Sequence, residues 1–159
     1  MQRSSSPWLA LAGFLVINVI ISGIGGAITS SSVTDWYPTL AKPAFNPPDW
    51  LFGPVWTLLY LVMAVAAWRV WRQAGWHAAR PALLIYFLQL GVNLAWSALF
   101  FGLRRPDLAL ADCLLLMVLV VVTAFAFRRH DRIAAQLMVP YALWVGFACL
   151  LNGSIVALN

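Results

Sequence analysis

The chain has 159 residues, 63% of them hydrophobic and 9% charged, where an average soluble domain is roughly 45–50% apolar and 25% charged. That balance excludes a soluble globular fold and predicts an integral membrane protein. The net charge of +5 does not point to nucleic acid, because the basic residues are scattered over the ends of apolar runs and form no compact face for a phosphate backbone.

Runs nearly free of charge predict transmembrane helices at about 8–28, 50–71, 81–103, 108–128 and 133–158, each near the ~20 residues that cross hydrocarbon. The predicted fold is all-α, a bundle of five transmembrane helices in a single domain over 1–159, with one long connection at 29–49. The first run has Arg3 ahead of it and small residues at its end, the outline of a secretory signal. Its apolar span exceeds the ~7–15 residues of a signal core, so a retained helix is expected. With five spans, Arg3, Arg69, Arg72, Arg80, Arg128, Arg129 and Arg132 fall on the amino-terminal side and Lys42, Arg104 and Arg105 on the other. The positive-inside rule then puts the N-terminus in the cytoplasm and the first loop and C-terminus opposite.

In the first helix, Asn18 and the cluster Ser22-Gly23-Ile24-Gly25-Gly26 predict close helix packing. The loop after it carries Trp36 and Tyr37 ahead of Pro38, aromatics suited to an interfacial anchor or a lid. Pro43, Pro47, Pro48 and Pro54 bracket a stretch dense in aromatics, which stiffens the approach to the second helix and localises its start. Within that helix Gly53, Trp56, Thr57, Tyr60 and Ala64 share one face at 100° per residue.

The third helix carries two opposite stripes. Gln89, Asn93, Trp96 and Phe100 form a polar and aromatic one, while Gly91, Ala95, Ala98 and Gly102 form a smooth one that suits packing within the bundle or a homodimer seam. Gln89 and Asn93 are costly in lipid, so they should face the interior, either bonding between helices or meeting a ligand. Asp112, near the start of the fourth helix, has a structural reading close to the headgroups and the helix dipole. Pro140 should kink the fifth helix, beyond which Tyr141, Trp144, Ala148 and Asn152 share a face. Cys113 and Cys149, in no paired spacing, are expected as small core residues, and His77 and His130 lack partners at ligand spacing, so no metal site is expected. Three walls rich in Trp and Tyr with scattered Asn, Gln and Thr suit a large, flat, apolar ligand with a few polar groups.

These residues resemble the translocator protein or tryptophan-rich sensory protein family, also called peripheral-type benzodiazepine receptors. The resemblance rests on Trp36-Tyr37, Lys42-Pro43, Phe45-Asn46-Pro47-Pro48, Phe52-Gly53-Pro54-Val55-Trp56-Thr57, Gln89-Leu90 with Asn93, Trp96-Ser97, Pro140-Tyr141 and Leu151-Asn152, in that order along nearly the whole chain. It implies a five-helix bundle, commonly dimeric, in a bacterial cell membrane or an organelle, whose pocket beneath the first loop binds porphyrins, benzodiazepine-type drugs and, in some members, sterols. Carried onto this sequence, the pocket would be lined by Trp36, Pro47, Phe52, Trp56, Tyr60, Asn93, Trp144 and Ala148. Porphyrin would be a ligand, with no resident cofactor. Trp56 and Trp144 match positions tied in related bacterial proteins to light-dependent porphyrin breakdown, although the sequence offers no metal, nucleophile or acid–base pair for an enzyme. No Lys or Arg follows Tyr141, so the sterol motif of the animal members is missing and only a reversed pattern at Arg80, Tyr86 and Leu88 remains. A porphyrin or sterol transporter is the remaining alternative, weakened by the absence of Lys, Arg or Glu from the helix centres and of an internal repeat.

Overall fold

The computed structural model describes residues 6–159. Arg3, part of the charge argument for orientation, lies outside the described residues. The regular elements are helices: α1 (Pro7–Ser30), a short 3-10 turn (Tyr37–Thr39), α2 (Asp49–Ser97) running into a π-helical turn (Ala98–Gly102), α3 (Pro106–Arg128), α4 (Arg132–Leu137) and α5 (Val139–Leu158). Among the described residues four helices are long and apolar enough to cross a membrane, Pro7–Ser30, Asp49–Gly102, Pro106–Arg128 and Arg132–Leu158. Five separate spans were expected, and the difference lies in the second, which has 54 residues.

A straight helix of that length would measure about 80 Å, far beyond the ~30 Å of hydrocarbon. It is not straight. Gly75 has φ 70° and ψ 169°, outside helical space, and the chain reverses there. Tyr60 and Asn93, 33 residues apart, are hydrogen-bonded to each other, although a continuous helix would separate them by about 50 Å. The loop expected near 72–80 is thus a single non-helical residue, with helix continuing on both sides into two antiparallel arms.

The arms pack against α1 and α3. Asn18 of α1 donates to the Phe14 carbonyl at 2.8 Å and lies 2.7 Å from the Tyr86 hydroxyl on the second arm, while the Trp68 indole on the first arm donates to the Pro7 carbonyl at 2.8 Å. Met63, Leu83, Tyr86, Val120, Phe127 and Tyr141 form the sealed centre. Val16, Val19, Ile20, Leu114, Val118 and Phe125 are exposed on the outside of the bundle, the apolar surface that lipid requires of a spanning helix.

Three local departures have physical causes. Pro140 was expected deep inside the last helix, but the helix ends at Leu137 and restarts at Val139, so Pro140 sits in a first turn where its missing N–H leaves no broken bond. At Ala98–Gly102 the widened π turn makes the helix phase lag, and Gly102 faces α1, where an added Cβ would lie 3.5 Å from Ile28 Cγ2, while Gly91 has open space before it. The four small residues therefore do not make one continuous seam. Cys113 and Cys149, expected as unrelated core residues, meet between α3 and α5.

The bundle end near Gly75 is tied by Asp131. Its carboxylate caps α4 by accepting from the Ile133 and Ala134 amides at 2.7 and 3.2 Å and lies 2.9 Å from Arg69 Nε as an ion pair. Asp131→Ala should cost about 2 kcal/mol, mostly from the lost cap with a smaller share from the half-screened ion pair. Asp131→Asn, which keeps an accepting oxygen, should retain most of it; equal thermal midpoints for Ala, Asn and wild type would contradict this.

Candidate functional site

At the opposite end, α1, both arms of α2 and α5 diverge around a cavity of about 430 Å³, within the ~300–1,000 Å³ of small-molecule pockets. Its aromatic walls follow from helical phase. Trp56 and Tyr60, one turn apart, have ring centroids 5.8 Å apart, and Trp56 meets Tyr141 edge-on at 6.2 Å. Phe52 meets Trp144 at 5.9 Å, and Trp144 lies 5.4 Å from Phe147. From the other arm, Trp96 stacks on Phe100 at 5.2 Å.

The polar floor is a buried chain of hydrogen bonds. The Tyr60 hydroxyl donates to Asn93 Oδ1, Asn93 Nδ2 donates to the Tyr141 hydroxyl at 3.0 Å, and that hydroxyl donates to Gln89 Oε1 at 2.8 Å. Gln89 closes on Met63 Sδ at 3.8 Å. An amide carries two N–H donors, so Asn93 has one left beyond its bond to Tyr141, on a residue that lines the cavity. Nearer the rim, Asn152 accepts from the Trp96 indole at 3.1 Å and donates to the Pro106 carbonyl at 2.8 Å.

The first loop covers the cavity and is firmly held. Ser32 donates to the Phe101 carbonyl at 2.8 Å, Tyr37 to Asn46 at 2.9 Å, and Lys42 to the carbonyls of Tyr37 and Leu40 at 2.9 and 3.2 Å. Asn159, at the end of α5, exchanges two bonds of 3.0 Å with the Ala41 backbone. Burial, reinforced by the Asp49 carboxylate and opposed by the bond to Asn46, pushes the Tyr37 phenol up from 10.0 to about 12. The fold therefore holds a proton that the unfolded chain releases near pH 10. The associated stability is complete below that pH and is lost as pH rises towards 12. The thermal midpoint should fall more steeply across that window than it does in Tyr37→Phe; parallel profiles would contradict it.

Of the eight residues proposed from sequence, Phe52, Trp56, Tyr60, Asn93, Trp144 and Ala148 line the cavity together, and Trp36 and Pro47 do not. Trp36 stands behind the wall, edge-on to Phe100 at 5.7 Å, with the Arg104 guanidinium 6.0 Å from its ring. Pro47 belongs to the loop brace, where its carbonyl accepts from Asn46. Sequence reading missed Ser22, Gly25 and Gly26, which form the α1 side of the cavity. Their small size was read only as close packing, which Gly25 does provide, since a Cβ there would lie 3.5 Å from Ser97 Oγ. Trp50, 72% exposed, takes no part and fits an interfacial anchor.

Apolar-surfaced helices around an aromatic cavity with a buried polar floor define a multi-pass helical membrane protein. The sequence pattern of the TspO/MBR family matches residues 13–158, and the chain belongs to that family. It is 40% identical over 153 residues to the tryptophan-rich protein TspO of Chlorobaculum tepidum, covering 95% of this chain and 96% of that one. It is 35% identical over 152 residues to the translocator protein of Sus scrofa, with 92% and 88% covered. The tryptophan-rich sensory protein of Cereibacter sphaeroides is 40% identical over 125 residues, with 79% and 77% covered.

Proposed function

We propose that this protein is a membrane receptor that holds a porphyrin or a similarly flat apolar ligand in the cavity beneath the first loop, as part of tetrapyrrole or stress regulation. The observation that carries this reading is the joining of Trp56, Trp144 and Phe52 in one cavity with the spare Asn93 donor. Indole and phenyl faces favour a flat conjugated ring, and the amide donor supplies an orienting polar contact. The same surfaces suit benzodiazepine-type drugs.

In this reading the two arms of α2 are separate crossings, making five in all, and the Gly75 end faces the cytoplasm. The arginine pattern favours that orientation, with Arg69, Arg72 and Arg132 near the Gly75 end and Lys42 and Arg104 near the cavity. A second copy packing along Gly91, Ala95 and Ala98 would give a homodimer.

Protoporphyrin IX titrated into detergent-solubilised protein should quench tryptophan fluorescence saturably at one ligand per chain. Linear, unsaturated quenching would overturn the receptor reading. Both indoles lining one cavity also favour a second reading, in which an illuminated porphyrin passes an electron or energy through Trp56 and Trp144 and is broken down with oxygen as oxidant. A bilin-like product that appears under light with wild type, and not with the doubly Phe-substituted protein, would support it. A product formed equally without protein would sink it.

A further inference from the structure

The Cys113 and Cys149 sulfurs are 2.6 Å apart, both as free thiols. That is about half an ångström beyond a disulfide bond, so closing the bond needs little movement of either helix. The contact is a consequence of helix packing. Along the α3–α5 interface an added Cβ on Gly146 would lie 4.0 Å from Met117 Cε, and one on Gly153 would lie 3.8 Å from Leu110 Cδ1. Gly146 and Gly153 of α5 thus flank the pair, each facing a side chain of α3 at ordinary van der Waals distance. Cys113 is sealed, while Cys149 is half-buried.

We propose that Cys113 and Cys149 are a redox modification site, a dithiol that a hydroperoxide of the surrounding lipid oxidises to a disulfide fastening α3 to α5. The more accessible Cys149 sulfur attacks the terminal oxygen of the hydroperoxide, the O–O bond breaks, and the alkoxide leaves with the thiol proton as an alcohol. The Cys113 sulfur then attacks the Cys149 sulfenic acid, the S–S bond forms, and the hydroxyl departs with the Cys113 proton as water. The two thiols lose two electrons and the hydroperoxide gains both, ending as alcohol and water. The apolar setting selects the reagents: exchange requires access of a thiolate to the disulfide, so polar thiol pools reach this pair poorly and the oxidised form persists. Because α5 also carries Trp144, Ala148 and Asn152, the disulfide would fix one wall of the cavity. The chemistry stands whether or not a porphyrin binds there.

The test uses the full chain in lipid nanodiscs treated with cumene hydroperoxide, followed by maleimide labelling after denaturation and intact mass with and without reduction. Wild type should lose both labelled thiols together, keep a monomeric band on a non-reducing gel, add no oxygen to its mass, and regain both thiols with dithiothreitol. Cys113→Ser should instead accumulate a dimedone-reactive sulfenic acid at Cys149, and Cys149→Ser should leave Cys113 unreacted. A size-exclusion profile matching wild type checks that each variant is folded. Both thiols surviving excess hydroperoxide in wild type, oxygen addition in place of a disulfide, or a disulfide only between chains would each overturn the proposal.

Discussion

Replacing Trp56 with Ala should weaken protoporphyrin binding by about tenfold, and replacing Trp56 and Trp144 together by more than either alone, up to about a hundredfold. An aromatic pair contributes about 0.5–1.5 kcal/mol beyond its buried area, truncation to Ala also removes buried indole surface, and 1.4 kcal/mol is a factor of ten in affinity. The two indoles sit on different helices, Trp56 packed with Tyr60 and Tyr141, Trp144 with Phe52 and Phe147. Because both line one cavity and would meet one ligand, the double variant should fall short of a strict sum. Nine tryptophans contribute to the emission, so affinity is better followed through the porphyrin's own absorbance. Trp50→Ala, at an exposed indole outside the cavity, should leave affinity unchanged. Equal losses at Trp50 and Trp56 would mean that the porphyrin partitions onto the aromatic surface and does not enter the cavity.

The second large effect is expected at Gly75. Its φ of 70° with ψ of 169° lies in a region open essentially to glycine alone, where a side chain costs on the order of 1–3 kcal/mol. Nothing lies within 4 Å of a Cβ built there, so the penalty is conformational and has no packing component. Gly75→Ala should lower stability by about 1–2 kcal/mol and Gly75→Val by about 3 kcal/mol, since β-branching narrows the backbone further. The consequence reaches the cavity. A residue forced to helical φ would extend the first arm outward and draw Tyr60 away from Asn93, breaking the polar floor. Thermal unfolding with porphyrin binding measured in parallel checks both parts, and a Val variant with unchanged midpoint and affinity would show that the reversal does not depend on Gly75.

The legible part of this chain was its periodicity. Each apolar run became helix, and the 100° rule brought Trp56, Tyr60, Asn93, Trp144 and Ala148 to one cavity from three separate stretches. Polar residues too costly for lipid pointed inward as expected: Gln89, Asn93 and Asn152 are buried and bonded to partners on other helices. What stayed hidden depends on single backbone angles or on tertiary approach. At 72–80 the sequence reads as a connection because it falls between two apolar runs, yet one residue at positive φ suffices to reverse the chain. The π turn at Ala98–Gly102 has no composition of its own, and it re-aimed Gly102 towards α1. Trp36 shares its neighbourhood in sequence with the lid, but Phe100 stands between it and the cavity. Cys113 and Cys149 are 36 residues apart on different helices, a separation that carries no pairing signal until the helices are packed.

The most direct test of the account blocks the cavity without touching an aromatic or a hydrogen bond. Ala148 lines it from α5, and Ala148→Phe would project a ring into the space between Trp56 and Trp144. A protoporphyrin IX isotherm on the Phe variant in nanodiscs, beside wild type, should show one saturable site in wild type and a loss of at least tenfold in affinity in the variant, with the thermal midpoint retained. An unchanged isotherm in a folded Ala148→Phe protein would contradict the assignment of this cavity as the porphyrin site.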